Sequence, residues 1–188
     1  YYPTNEQITI PHYDVDGRFV GLRGRTLSDE DAELYGKYRP LVVGKQMYNH
    51  PLGLNLYNLN TSIENIRKVR KAIIFEGEKS CLKMNTLYGT NNIAVATLGK
   101  NISTQQIKLL MRLGVQEVIL AYDADYRNYD EMDKKRQEYL RIAKPLTTFF
   151  NVCILLDMDL NLLNYKDSPI DQGKSVFEKI FKNRLYVC

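Results

Sequence analysis

Ala72-Ile73-Ile74-Phe75-Glu76-Gly77 is an unbroken apolar run stopped by an acid and a glycine. A short run without polar alternation is what a strand buried on both faces of a parallel sheet requires. Working outward, the same pattern recurs three times. Ile93-Ala94-Val95-Ala96-Thr97 is closed by Leu98-Gly99, Glu117-Val118-Ile119-Leu120-Ala121-Tyr122 runs into Asp123-Ala124-Asp125, and Val152-Cys153-Ile154-Leu155-Leu156 comes last. Helical segments separate these runs. One covers residues 78–88, and a second opens with Ser103-Thr104-Gln105-Gln106, a Ser-x-x-Gln capping box, with Ile107, Leu110 and Met111 inward and Gly114 as its stop. A third, highly charged, runs from about residue 130 to 143 and breaks near Pro145, and residues 176–181 form an amphipathic helix. Strand, helix, strand in succession predicts an α/β fold with a mainly parallel sheet flanked by helices.

Upstream the pattern is different. Gln7 to Asp14 and Phe19 to Arg25 are β-prone runs around Val15-Asp16-Gly17-Arg18, which predicts a hairpin with an Asp-Gly turn. Ser28-Asp29-Glu30-Asp31 caps a short helix. Residues 37–59, rich in Gly, Pro, Asn and Tyr, predict loop and short strands, and Ile63, Ile66 and Val69 mark a helix with a basic end. This makes a smaller α+β subdomain over 1–70, an α/β domain over 71–160, and a helical segment over 161–188 packed on the core.

The 188 residues, 44% hydrophobic and 26% charged, are enough for one full domain or two small ones sharing a core, and exclude a disordered tail. No apolar run approaches the roughly 20 residues of a membrane span, and the first residues lack the features of a signal peptide, so a cytoplasmic location is expected. A start at Tyr1 within folded sequence reads as part of a larger protein. Three cysteines (Cys81, Cys153, Cys188) without C-x-x-C spacing and two histidines exclude a disulfide framework and a zinc finger within the chain. The net charge of +4 permits nucleic-acid binding without requiring it, so the placement of charge has to decide.

Ligands of open parallel sheets bind at the carboxyl ends of the strands. Glu76 ends one strand there, and Asp123 and Asp125 end another, one residue apart so that strand alternation sends both off the same side. Three converging carboxylates repel one another unless a cation neutralises them, and hard oxygen donors suit Mg²⁺ or Mn²⁺. Taken singly, an acid after a strand is more often a helix cap than a catalytic group. The combination is the narrower signal.

Phe75-Glu76-Gly77-Glu78-Lys79-Ser80, Ala94-Val95-Ala96-Thr97-Leu98-Gly99 and Leu120-Ala121-Tyr122-Asp123-Ala124-Asp125 resemble the Toprim domain of DnaG-type primases, topoisomerases and some nucleases. Ile10-Pro11 through Asp16-Gly17-Arg18 to Gly24-Arg25 resembles the hairpin ahead of Toprim in bacterial and phage primases, where a D-x-x-G-R-x-x-G-x-x-G-R pattern occurs. Lys37-Tyr38 and Leu56-Tyr57-Asn58-Leu59 match its K-Y and L-Y-x-L. The resemblance, over nearly the whole chain, implies the RNA polymerase core of a DNA primase, a nucleotidyltransferase that joins nucleoside triphosphates into short RNA primers on a single-stranded DNA template. Glu76, Asp123 and Asp125 would be catalytic and hold Mg²⁺ or Mn²⁺, with Glu76 fitting either as ligand or as proton acceptor. Asp167 is the best match to a further family acid and Asp171 a looser one. Both also suit a solvated turn. Arg23, Arg25, Lys37 and Lys79 would contact template or nucleotide, and a replicative helicase would bind through regions outside the chain. Ser80 stands where the family usually has Asp. Lys134-Lys135-Arg136, set among acids, reads as a salt-bridged helix face. The rival readings are a Toprim-type nuclease or topoisomerase-like cleaving domain, and a non-catalytic nucleic-acid-binding scaffold.

Overall fold

A computed structural model describes residues 1–187; Cys188, one of the three cysteines counted above, lies outside them. The hairpin forms from β1 (Gln7–Tyr13) and β2 (Phe19–Thr26), paired antiparallel with Ile10 opposite Arg23. Its turn is set by Asp14, whose carboxylate accepts the amides of Asp16 and Arg18 at 2.9 Å each, and by Gly17 at φ +80°. The glycine spacing in β2 has a steric reason. A Cβ at Gly21 would collide with the His50 ring, and one at Gly24 with the Gln7 amide.

Ser28 caps α1 (Asp29–Tyr35), accepting the Asp31 amide at 3.2 Å, and β3 (Tyr38–Pro40) then completes a three-stranded sheet in the order β1-β2-β3. A small ladder of β4 (Val42–Val43) and β5 (Gln46–Met47) precedes α2 (Leu59–Val69).

From there the chain alternates as predicted: β6 (Lys71–Phe75), α3 (Glu78–Tyr88), β7 (Ala94–Ala96), α4 (Thr104–Arg112), β8 (Glu117–Leu120), α5 (Tyr129–Ala143), β9 (Asn151–Ile154) and α6 (Lys174–Lys182). One strand was not foreseen. β10 (Leu185–Val187) pairs antiparallel with β9, so the C-terminal segment adds a strand as well as a helix. The sheet order is β10-β9-β8-β6-β7, and β6 to β9 are parallel. β10 covers one edge. At the other, Tyr57 and Ala96 exchange backbone hydrogen bonds at 2.9 and 3.1 Å, so β7 is also partly covered.

Strand alternation divides the core into two layers. Ala72 and Ile74 of β6, Val118 and Leu120 of β8, and Val152 and Ile154 of β9 face α2, α4 and α5. Ile73, Phe75, Ile119, Ala121, Cys153 and Leu155 face α3 and α6 through Cys81, Met84, Phe177 and Ile180. β6 therefore leads into a helix on one face while its neighbour β8 leads into a helix on the other. Connections that part in this way leave a crevice at the carboxyl ends of the two strands. No helix among the described residues is long and apolar enough to cross a membrane.

Candidate active site

Glu76 follows β6 directly, and Asp123 lies three residues beyond β8, so both emerge at that crevice. The Asp123 amide donates to Glu76 Oε1 at 3.3 Å. The segment leaving β8 is anchored on several sides. Ala121 N–H donates to Ile74 O (2.8 Å), Ala124 N–H to Asp167 O (2.7 Å), Lys166 N–H to Ala124 O (2.9 Å), and the Tyr139 hydroxyl to Asp123 O. Strand alternation does not extend to Asp123 and Asp125. β8 has already ended, and the Asp125 amide turns back to Asp123 O at 2.8 Å, a tight three-residue turn. Both carboxylates still reach one cleft, but with different partners.

Asp123 and Glu76 have no cationic side chain within ion-pair distance among the described residues, whereas Asp125 has two. Lys100 Nζ and Lys135 Nζ each stand 3.1 Å from Asp125 Oδ2, and Glu138 adds contacts of 3.0 Å to Lys135 and 3.7 Å to Lys100. The pKa values follow. Burial, then the charges of Glu76 and Asp171, push Asp123 up to about 7. Burial also raises Glu76, against the opposing hydrogen bond from the Asp123 amide. At Asp125 partial burial works upward too, but the bonds from Lys100 and Lys135 prevail and hold it below the usual carboxylate range.

Arg25, Lys37, Tyr38, Lys79 and Lys166 line a cleft of about 310 Å³ together with Asp123 and Asp125. Three of the four basic residues singled out from sequence thus stand at the acids. Arg23 does not. Its guanidinium donates to Glu78 Oε1 at 2.8 Å and to Tyr38 O at 3.2 Å, and His12 Nε2 lies 3.3 Å from the same carboxylate oxygen. Lys79 pairs with Asp171 (2.7 Å), as does Lys83 (2.9 Å). Asp171, the looser sequence match, therefore stands closer to the site electrostatically than Asp167, whose carboxylate accepts from Asn164 N–H (2.9 Å) and the Gln172 amide to close a turn. Ser80 hydrogen-bonds Ser168 at 2.9 Å, tying α3 to that loop. A larger cleft of about 600 Å³ opens behind Lys100 and Glu138, lined by Ile102, Ile107 and Ile142, away from Asp123.

Sequence reasoning missed Lys100, Lys135 and Lys166. Lys135 does belong to a salt-bridged cluster, but it points inward and is 7% exposed. The signal was its register: Met132, Lys135, Tyr139 and Ala143 form the buried stripe of α5.

Among the described residues no three His, Cys, Asp or Glu side chains form a ready-made metal cage. The Glu76–Asp123 pair nonetheless fits a hard divalent cation of the Mg²⁺ type. Such an ion is commonly held by one or two carboxylates and takes its other oxygens from water and phosphate, and here two carboxylates lie together with raised pKa values.

Residues 71–127 match the family model described as "Toprim domain". Over 198 aligned residues the whole chain is 37% identical to SPbeta prophage-derived uncharacterized protein YorJ of Bacillus subtilis, of which it spans 52%. It is 33% identical to the DNA primase of Clostridium acetobutylicum over 119 residues, 63% of this chain and 18% of that enzyme. The chain thus spans about half the length of the first relative and less than a fifth of the second. Among solved structures, the zinc-binding and RNA polymerase domains of Aquifex aeolicus primase superpose with a TM-score of 0.69, covering 97% of this chain and 41% of that one at 22% identity. The DnaG primase catalytic domain bound to ssDNA gives 0.66, covering 96% and 54% at 24% identity. Residues 71–127 thus match the Toprim family model, and the chain that carries them has the fold of DnaG-type primase catalytic cores.

Proposed function

We propose that this chain is the catalytic core of a DNA primase, a nucleotidyltransferase that makes short RNA primers on single-stranded DNA. The observation that carries the reading is the pair Glu76 and Asp123, two carboxylates without a direct ion-pair partner among the described residues, with Asp123 lining a crevice shared by Arg25, Lys37 and Lys79. Primer synthesis joins a 3′-hydroxyl to the α-phosphate of a nucleoside triphosphate, with negative charge growing on the phosphates. That reaction needs anionic ligands for a cation and cationic side chains for phosphates within one site.

Glu76 and Asp123 would hold Mg²⁺ or Mn²⁺, which when bound offsets charge on the phosphoryl oxygens. Arg25, in β2, and Lys37, just before β3, line the cleft with Asp123 and Asp125 and are assigned to phosphates of nucleotide or template. Tyr38, whose ring lies 6.0 Å from the Arg25 guanidinium, presents a surface on which a base can stack. Lys79 is shared with Asp171 and is assigned to the triphosphate, whose charge competes for it. With its pKa near 7, Asp123 carries a proton for part of the time at neutral pH, and a cation reaching the carboxylate displaces it.

The test is primer synthesis by the intact protein on mixed single-stranded DNA templates with ribonucleoside triphosphates and Mg²⁺ or Mn²⁺. Labelled oligomers are expected from the unaltered protein. Asp123→Asn should lower their yield at least about a hundredfold with the thermal melt retained. Template cleavage without nucleotide incorporation would assign the nuclease reading instead, and unchanged synthesis in the variant would assign a scaffold.

A further inference from the structure

The four carboxylates around the crevice differ in what already neutralises them. Asp171 is paired with Lys79 and Lys83, while Glu76 and Asp123 have no cationic partner among the described residues. Asp125 is held by Lys100 and Lys135 through one oxygen, Oδ2, at 3.1 Å from each. Glu138 completes the group at 3.0 Å from Lys135. Two ammonium groups and two carboxylates balance, so nothing in this quartet calls for a further cation.

Lys135 is not a passing surface residue. It is 7% exposed, sits on the buried stripe of α5, and packs its ammonium 5.3 Å from the Tyr139 ring. Tyr139 in turn bonds the Asp123 carbonyl, so the helix that delivers Lys135 to Asp125 also fixes the backbone of Asp123. Lys100 comes from the opposite side, just after Leu98-Gly99 at the end of β7. Together the two lysines bring the +2 charge that one divalent ion would bring to the same oxygen.

We propose that Lys100 and Lys135 stand in for a second cation at Asp125, so that the site binds one divalent ion, at Glu76 and Asp123, and Asp125 is a positioning residue rather than a metal ligand. This rests on the reading of the Glu76–Asp123 pair as a metal site. The lysine bridge has a fixed geometry that does not depend on the concentration of free metal. It leaves the acidic pair as the place where ion and triphosphate meet.

The experiment is a Mn²⁺ titration of the intact protein, followed by loss of the free-ion electron paramagnetic resonance signal, which counts bound ions without requiring activity. One Mn²⁺ per chain is expected. Asp123→Asn should weaken its binding by about tenfold or more, whereas Asp125→Asn, which keeps the side-chain shape, should change it by less than about threefold. Lys100→Met combined with Lys135→Met uncovers Asp125 and should raise the count to two, provided that circular dichroism shows the fold retained. If the double variant does not fold, the Asp125→Asn arm decides alone. Two ions in the unaltered protein, a loss in Asp125→Asn as large as in Asp123→Asn, or a count that stays at one in a folded double variant would overturn the proposal and leave the primase reading intact. Binding insensitive to both Asp123→Asn and Glu76→Gln, or no binding at all, would overturn the metal reading itself.

Discussion

Asp123 is a carboxyl group whose surroundings disfavour its charge: burial first, then Glu76 and Asp171. The folded-state pKa of about 7 lies above the ordinary aspartate value of 3.8, so between the two the folded protein binds more protons than the unfolded chain. Stability from this group is therefore full below about pH 4 and is lost as the pH rises through about 7, an effect on the order of 1–3 kcal/mol. Denaturant titrations without divalent ions should show this loss between about pH 4 and pH 7, and Asp123→Asn should flatten it. A steeper dependence in the variant would refute the assignment. Glu76, Asp123 and Asp125 were legible in the sequence because a parallel strand buried on both faces can place acids only at its ends. The partners of these acids were not. Only its helical register marks Lys135 as inward-facing, and Arg23 looks like a solvated charge in the linear pattern until its contact with Glu78 of α3 turns it inward. Asp167 and Asp171 were separable only through the fold of their loop, which turns the first onto its own backbone and the second toward Lys79.

Elements with a local cause were read correctly, and α4 is the plainest case. The Ser103 hydroxyl accepts the Gln106 amide at 3.1 Å, and the Gln106 side chain accepts the Ser103 amide at 2.9 Å, so the box satisfies two of the helix's first donors. Gln106 also donates to Asn55 O at 2.8 Å, which fastens the loop ahead of α2 to this helix. Ser103→Ala should lower stability by about 1–2 kcal/mol, read as a shift in urea midpoint with unchanged slope. A change in slope would instead mean that the loop had come free. β10 escaped prediction because Leu185-Tyr186-Val187 is too short to show a period. It exists because β9 has an edge to pair with, which is a property of the sheet rather than of those residues.

The whole molecule is joined by a contact that no local pattern encodes. Glu78, at the first turn of α3 and 1% exposed, meets Arg23 of β2 across 55 residues, with His12 of β1 beside it. Burial alone would raise the Glu78 pKa; the nearby His12 and Arg23 overcome this and hold it below the usual range. Removing one partner leaves the other buried and uncompensated. Glu78→Ala should destabilise the protein by about 3–5 kcal/mol and speed proteolysis of the three-stranded sheet, while Glu78→Gln paired with Arg23→Met should recover part of the loss. A double variant no better than the single one would mean that the contact is not coupled. The acidic pair itself spans 47 residues, because β8 reaches β6 only after the chain has passed through α3, β7 and α4. Each carboxylate is hydrated and alone until that long detour closes, so their repulsion is absent from the early folding ensemble. It acts on the finished state, where it hastens opening and leaves the rate of assembly nearly unchanged. An ion lodged between them would work as a latch on a closed door, lengthening the lifetime of the native form without making it any quicker to build.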